Sequence, residues 1–323
     1  MRCPKPKGMM SLVELRDVTK SFGSVRAVDN ASFQIGRGEV VGFLGPNGAG
    51  KTTTMRLITQ VLEPDSGQVS IGGSPIDSDP IEARRRIGYL PETNPLYPDM
   101  LVSEYLDYAG ELRQLDRSTR ARRIGDVVAE TGLESVYYRP VNQLSKGFRQ
   151  RMGLAQAILS EPDVLILDEP TEGLDPNQRV EIRKLITRLG EERTVLLSTH
   201  VMQEVQLTCG RLLIMHQGRI IADGAVATLL SGAARGGLRV VAEIEGDPAA
   251  IRSGLEHLES VGTVEVLEQR QRRNQIAIVG AGSADPRPDV FRLAGERGWV
   301  LWELRREHES LEDFFRDLTE AAS

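Results

Sequence analysis

Hydrophobic positions in the first two thirds of this chain fall in short unbroken runs, separated by stretches with helical spacing. Val40-Val41-Gly42-Phe43-Leu44, Ile87-Gly88-Tyr89-Leu90, Val164-Leu165-Ile166-Leu167 and Val195-Leu196-Leu197 are too short for helices and read as strands of a parallel core sheet. Leu12 to Val18 alternates instead, Leu12 and Glu14 against Val13 and Leu15, and predicts a strand that Gly23 breaks. Ala31 to Ile35 is a further strand, and Glu63-Pro64-Asp65-Ser66-Gly67 a turn before a short strand at Val69 to Ile71. Helices are expected where the period changes. Met55 and Ile58 lie three apart, and Asp79-Pro80 supplies a cap and a first-position proline for a helix to about Arg86. From Val102 to Ser160 the pattern is helical, with Val102, Tyr105, Leu106 and Ala109 and then Met152, Ala155, Ile158 and Leu159 on faces of 3.6 period. Arg211 to Met215 and Arg219 to Ala222 form a hairpin across His216-Gln217-Gly218.

Ser231-Gly232-Ala233-Ala234-Arg235-Gly236-Gly237 is small and flexible, and marks a boundary between a first domain, 11–230, and an accessory domain, 238–323. Beyond it the predicted order is strand, helix, strand, strand, helix, strand (238–244, 248–258, 264–267, 275–279, 289–298, 299–304), the order of an α+β ferredoxin-like sandwich. An amphipathic helix near 310–318 follows, with Leu311, Phe314, Phe315 and Leu318 on one face. Residues 1–10 carry Arg2, Lys5 and Lys7 without an apolar core, so they read as a disordered lead-in rather than a signal peptide.

Chemistry concentrates at the ends of the apolar runs. Gly45-Pro46-Asn47-Gly48-Ala49-Gly50-Lys51-Thr52-Thr53 matches G-x-x-x-x-G-K-[ST], the phosphate-binding P-loop, between a predicted strand and a predicted helix. Its glycines let backbone N–H groups and the positive helix end approach a triphosphate. Lys51 can reach the β- and γ-phosphates and the Thr52 hydroxyl can ligate Mg²⁺. The 164–167 run ends in Asp168-Glu169. There, at the carboxyl end of a parallel strand, Asp168 is placed to hold the Mg²⁺ shell and Glu169 to orient and deprotonate water. His200 ends the 195 run in the same way and would in isolation most simply cap a helix, as Asp175 does before Pro176. Phe22, at a strand end, could stack on an adenine, although its local sequence favours the core.

Composition removes other classes. With 323 residues, 40% hydrophobic and 27% charged, the chain is a folded protein of about two domains. Acidic residues outnumber basic ones, 46 to 40, against a dominant nucleic-acid surface. No apolar run approaches the ~18 residues of a membrane span. Cys3 and Cys209 have no metal-ligand spacing and suit a reducing, cytosolic setting.

At Leu144-Ser145-Lys146-Gly147-Phe148 the chain resembles the L-S-G-G-Q signature of ABC-type ATPases. The order of P-loop, helical block, signature, Leu167-Asp168-Glu169-Pro170, Gly173-Leu174-Asp175 and His200 resembles that family as well, over about Leu12 to Leu230. The resemblance implies an α/β cassette with a parallel core sheet, an antiparallel β subdomain and a helical subdomain at about 95–160. It implies that Phe22 stacks on adenine, that Lys51 and Thr52 hold phosphate and metal, and that His200 meets the γ-phosphate. Asp175 would lie at a dimer seam, and Ser145 and Gly147 would complete the ATP site of a second cassette. Glu92 stands where the family usually has a metal-bridging glutamine, and Lys146 replaces the signature's first glycine.

Leu90-Pro91-Glu92, the signature and the tail Glu309-Ser310-Leu311-Glu312-Asp313-Phe314-Phe315 look like the branch that serves exporters of drugs, polysaccharides or lipids, gliding-motility-type systems included. The resemblance therefore implies an ATP-hydrolysing transport subunit using ATP and Mg²⁺. It would pair with a second copy or a homologous cassette and drive a separately encoded transmembrane permease from the inner face of the cell membrane. A soluble ABC-type ATPase acting on DNA or ribosomes is the competing reading. This sequence shows none of the paired cassettes, zinc modules or long coiled-coil inserts such proteins tend to have, and no nucleic-acid partner is expected.

Overall fold

A computed structural model describes residues 11–230, 238–270, 273–282 and 284–306. The expected lead-in, the 231–237 boundary stretch, the helix near 310–318 and Cys3 lie outside the described residues. The chain divides into two compact units, Met1–Gly224 and Ala225–Ser323. The division thus falls ahead of the small-residue stretch.

The first unit opens with β1 (Ser11–Phe22) and β2 (Val25–Gly36), an antiparallel hairpin. The alternating pattern therefore runs further than expected, because Gly23 serves as the hairpin turn instead of ending an isolated strand. β3 (Val40–Leu44) leads into α1 (Lys51–Ile58), and then come β4 (Ser66–Ile71), β5 (Ser74–Pro75), α2 (Pro80–Arg85) and β6 (Ile87–Leu90). Ser66 and Gly67, expected in a turn, already belong to β4. That strand pairs with β1 across a register shift between Arg16 and Thr19, and the irregular pairing disguises it as a turn. The four strands order as β2-β1-β4-β5, an antiparallel sheet.

The helical block consists of α3 (Val102–Leu112), α4 (Arg117–Thr131) and α5 (Lys146–Ile158), with two short 3₁₀ turns before α5. Val102, Tyr105, Leu106 and Ala109 of α3 and Met152, Ala155 and Ile158 of α5 are buried, so the helical periodicity marks the packed faces correctly. The chain then returns through β7 (Val164–Asp168), α6 (Pro176–Glu192), β8 (Thr194–Thr199), α7 (Met202–Thr208), β9 (Arg211–His216) and β10 (Arg219–Ala225), and α8 (Val226–Leu230) opens the second unit.

The central sheet has the order β10-β9-β3-β8-β7-β6, and β9, β3, β8, β7 and β6 run parallel. Its inner strands β7 and β8 are buried on both faces, which is why they read as continuous apolar runs. Register decides what meets at its carboxyl edge. Leu44 pairs with Thr199, Ser198 with Asp168, and Leu167 with Leu90. The next residues out from that row are Gly45, His200, Glu169 and the segment leading to Glu92. Beneath the P-loop, Phe43, Met55, Leu57 and Ile58 join strands of both sheets in one core.

The second unit contains β11 (Arg239–Glu245), α9 (Pro248–Glu256), β12 (Val261–Arg270), β13 (Arg273–Gly280), α10 (Arg287–Arg297) and β14 (Val300–Arg306). Its strands order as β12-β13-β11-β14, all antiparallel, with the first and third strands central as in the expected ferredoxin-like sandwich. β12 is much longer than expected, since outside the predicted 264–267 run only Val261 is apolar and the other positions are exposed. Ile251 and Leu255 of α9 and Val290 of α10 close a separate core over Val240, Ile244, Ile276 and Ile278. Because the cores are separate, Ile276→Ala should destabilise the second unit by about 2–5 kcal/mol. Calorimetry should show one lowered transition, with ATP affinity unchanged at temperatures below it.

Candidate functional site

Gly50 caps α1 with φ 106°, and a Cβ there would come within 2.2 Å of the Ala27 carbonyl oxygen. A Cβ on Gly45 would stand 2.4 Å from the Met215 carbonyl oxygen. The loop from Gly45 to Gly50 therefore lies directly on the backbones of β2 and β9, and only glycine fits at its two ends. A further bond from Gly218 N–H to the Ala49 carbonyl, 2.9 Å, ties the loop to the β9–β10 turn. The Lys51 ammonium donates to the carbonyls of Gly45 at 2.7 Å and Pro46 at 3.2 Å, so it is held at the mouth of its own loop.

Asp168 is fully buried at the end of β7. Its Oδ1 accepts from the hydroxyls of Ser198, 2.6 Å, and Thr52, 3.2 Å, while Oδ2 has no hydrogen-bond partner. A buried, half-satisfied carboxylate is costly unless a cation completes it. One carboxylate and one hydroxyl beside a phosphate-binding loop form the sparse donor set that suits Mg²⁺, which completes its octahedron with water and substrate oxygens. Among the described residues no group of three His, Cys, Asp or Glu could hold a metal by itself.

Glu169 follows with φ 48°, a left-handed conformation that costs a non-glycine residue about 1–2 kcal/mol. The bend turns its carboxylate out of the strand line. Oε2 lies 3.0 Å from His200 Nδ1, and Oε1 lies 3.7 Å from Lys51 Nζ. A largely buried carboxylate fixed between a histidine and the P-loop lysine can accept a proton from water beside bound phosphate. Glu92 lies exposed beyond β6. Its carboxyl is held above the usual glutamate range, first by desolvation and then by the charges of Glu172, Asp168 and Glu169, with Arg56 opposing.

Lys51, Thr52, Asp168, Glu169 and His200 thus form one cluster. Phe22 is 50% exposed at the tip of the β1–β2 hairpin, with Lys20 Nζ 5.9 Å from its ring centroid, so the core expected from its local sequence is wrong. The local reading failed because a strand that ends in a protruding hairpin tip looks like one that ends in a core. Ser145 caps α5, accepting from Phe148 N–H at 3.3 Å, and Gly147 is buried against the Gln178 side chain. Among the described residues no hydrogen bond or ion pair joins Ser145 or Gly147 to the P-loop. Asp175 caps α6 by accepting from Gln178 N–H at 2.9 Å, ahead of Pro176.

Sequence reasoning missed Ser198. Its oxygen donates to Asp168 and accepts the Glu169 N–H at 3.0 Å, which joins the two carboxylate residues to β8. A hydroxyl late in an apolar strand was the available signal, but only register shows that it lies opposite Asp168. Burial, with help from the Asp168 charge, pushes the Tyr89 phenol up to about 12, while Arg56, donating to its oxygen, opposes.

The ABC transporter family model matches residues 28–172. A Nod factor export ATP-binding protein I from Burkholderia lata is 35% identical over 314 residues, 95% of this chain and 96% of that protein. The chain belongs to the ABC transporter ATP-binding subunits. A solved structure of the ATP-binding subunit of an ABC transporter superposes with TM-score 0.62 at 33% identity, over 68% of this chain and 92% of its own. A dimeric ATP-binding cassette in a post-hydrolysis state, bound to ADP and Pi, superposes with TM-score 0.61 at 26% identity, over 66% and 98%. This ABC subunit is accordingly an ATPase, and its first unit has the cassette fold.

Glu92→Gln replaces the charge with the family's usual amide. Since the folded protein holds Glu92 above its ordinary pKa, the native state binds the extra proton, and stability is lost as pH rises through that range. The variant should melt higher than the parent at neutral pH in nucleotide-free buffer, with the gap closing below the ordinary glutamate range. Thermal melts across pH measure this.

Proposed function

We propose that two copies of this cassette, or one copy and a homologous cassette, close head to tail over two ATP molecules, and that hydrolysis drives a separate membrane-spanning exporter. The observation that carries the proposal is the Glu169 carboxylate, bent out of β7 and fixed between His200 and the P-loop lysine. Export as the direction rests on the Burkholderia lata relative, whose name describes an export ATP-binding protein. No helix among the described residues is long and apolar enough to cross a membrane. In this reading the cassette works peripherally, through its partner, on the cytoplasmic face.

In this reading Phe22 stacks on adenine from the exposed hairpin tip, and the loop from Gly45 to Thr53 receives the phosphates. Thr52 and Asp168 would hold Mg²⁺, with Glu92 within reach of its shell. The ion supplies charge neutralisation on the phosphate oxygens when bound. Glu169 takes the proton from the attacking water as its oxygen bonds to the γ-phosphorus and the bridging bond to ADP breaks. His200 holds the base in place and meets the γ-phosphate. Ser145 and the following N–H groups of α5 face the γ-phosphate of the partner cassette, as the positive end of a helix favours. Asp175 lies at the seam between the cassettes.

Glu169→Gln should retain ATP binding, lose hydrolysis and accumulate as an ATP-dependent dimer during size-exclusion chromatography. Turnover near the parent rate would rule Glu169 out as the base. The shared site is tested by mixing Lys51→Ala chains with Ser145→Arg chains, each inactive alone. In a mixed dimer one site carries both lesions and the other carries none. Random mixing should restore roughly a quarter of the parent activity, because about half the dimers are mixed and half their sites intact. No recovery of turnover or nucleotide trapping, with mixed dimers demonstrated, would place the whole site within one chain.

A further inference from the structure

Glu204 is a carboxylate in the interior of the first unit, apart from the phosphate loop, and only 5% exposed. It projects from α7, and its Oε2 accepts two hydroxyls, Thr171 Oγ1 at 2.6 Å and Thr199 Oγ1 at 3.3 Å. Both threonines are buried; Thr171 lies in the turn after Glu169, and Thr199 ends β8 just before His200. Thr171 stands two residues beyond Glu169, in the turn closed by Glu172 N–H on the Glu169 carbonyl at 3.1 Å. Thr199 immediately precedes His200, and its oxygen also accepts the Val201 N–H at 3.0 Å. One carboxylate oxygen thus joins the turn after β7 to the end of β8.

Two features make this bridge more than a satisfied buried group. Glu169 sits at φ 48°, so its turn needs external anchors to hold a conformation that the residue itself disfavours. The contact the two segments must set, Glu169 Oε2 to His200 Nδ1, is a single 3.0 Å approach between side chains on different strands. Ser198 anchors the Glu169 N–H at the start of the turn, whereas Glu204 anchors Thr171 after it and Thr199 across from it. A carboxylate accepts hydroxyl protons without needing one of its own, so a single group can receive both.

We infer that Glu204 is a positioning residue that sets the distance and orientation of Glu169 relative to His200. The inference rests on the reading of Glu169 as the base. Glu204→Ala should lower kcat by about tenfold to a hundredfold, the scale of a misplaced catalytic group, while ATP Kd and KM stay within about twofold, since the P-loop is untouched. Glu204→Gln keeps an acceptor oxygen for the hydroxyls and should restore most of the turnover. Thr171→Val, nearly the same shape without the donor, should reproduce much of the loss and add little to it in the double variant.

Thr171→Val, with Thr171→Ser as its rescue, carries the test if Glu204→Ala does not fold. Parent-like kcat in Thr171→Val and Glu204→Ala would overturn the inference. So would a fall in ATP affinity parallel to that in kcat, or a Gln variant as impaired as the Ala variant. Glu169→Gln runs beside them. If it is inactive while the Glu204 and Thr171 variants are active, positioning alone fails. If it turns over ATP, the base assignment and the inference fall together.

Discussion

The parallel register of β3, β8 and β7 is the constraint on which the rest of the ATPase unit depends. Adjacent strands lie about 4.8 Å apart, so residues in one row across three strands fall within reach of a single bound phosphate chain. Here that row is Leu44, Thr199 with Ser198, and Asp168. A slip of one residue in β7 would turn its side chains to the opposite face. Asp168 would then lose both Ser198 and Thr52, and Glu169 would lose His200. The apolar packing that fixes the register is therefore also what assembles the site.

Because the site lies at the edge of a fully packed sheet, its polar groups are held in a medium that penalises any left unpaired. The structure answers with hydroxyls. Ser198 serves Asp168 and Glu169, Thr52 serves Asp168, and Thr171 and Thr199 serve Glu204. Hydroxyls are short and neutral, so they can be buried inside strands and turns without bringing further charge. Among the described residues Asp168 Oδ2 is the one fully buried carboxylate oxygen without a hydrogen-bond partner. In the proposed reading, a bound Mg²⁺ would offset this unmet bond.

The second unit follows the opposite rule. Its antiparallel sheet packs one face on α9 and α10, and its polar residues form surface pairs such as Arg273 with Glu243. Exposed pairs of this kind contribute little to stability. Arg273 also lies 3.6 Å over the ring of Trp302, which donates to Glu245. Among its described residues the unit has a compact apolar core and no buried charge network comparable to that around Asp168.

Much of this molecule was legible in the amino-acid sequence because its information is local. Glycines at 45, 48 and 50, a lysine and threonine after them, four-residue apolar runs and carboxylates at a run's end each declare their role within a few positions. The order of strands and helices in the second unit could likewise be read from periodicity. Tertiary structure decided what depends on partners distant in the chain. Phe22 is exposed because the β1–β2 hairpin protrudes, although its neighbours in sequence suit a core. Ser198 and Glu204 look like an ordinary strand hydroxyl and an ordinary helix-surface glutamate. Only sheet register and helix packing place one against Asp168 and the other between Thr171 and Thr199. A sequence pattern reports which face is apolar, whereas a buried polar contact is set by where another element of the chain has come to rest.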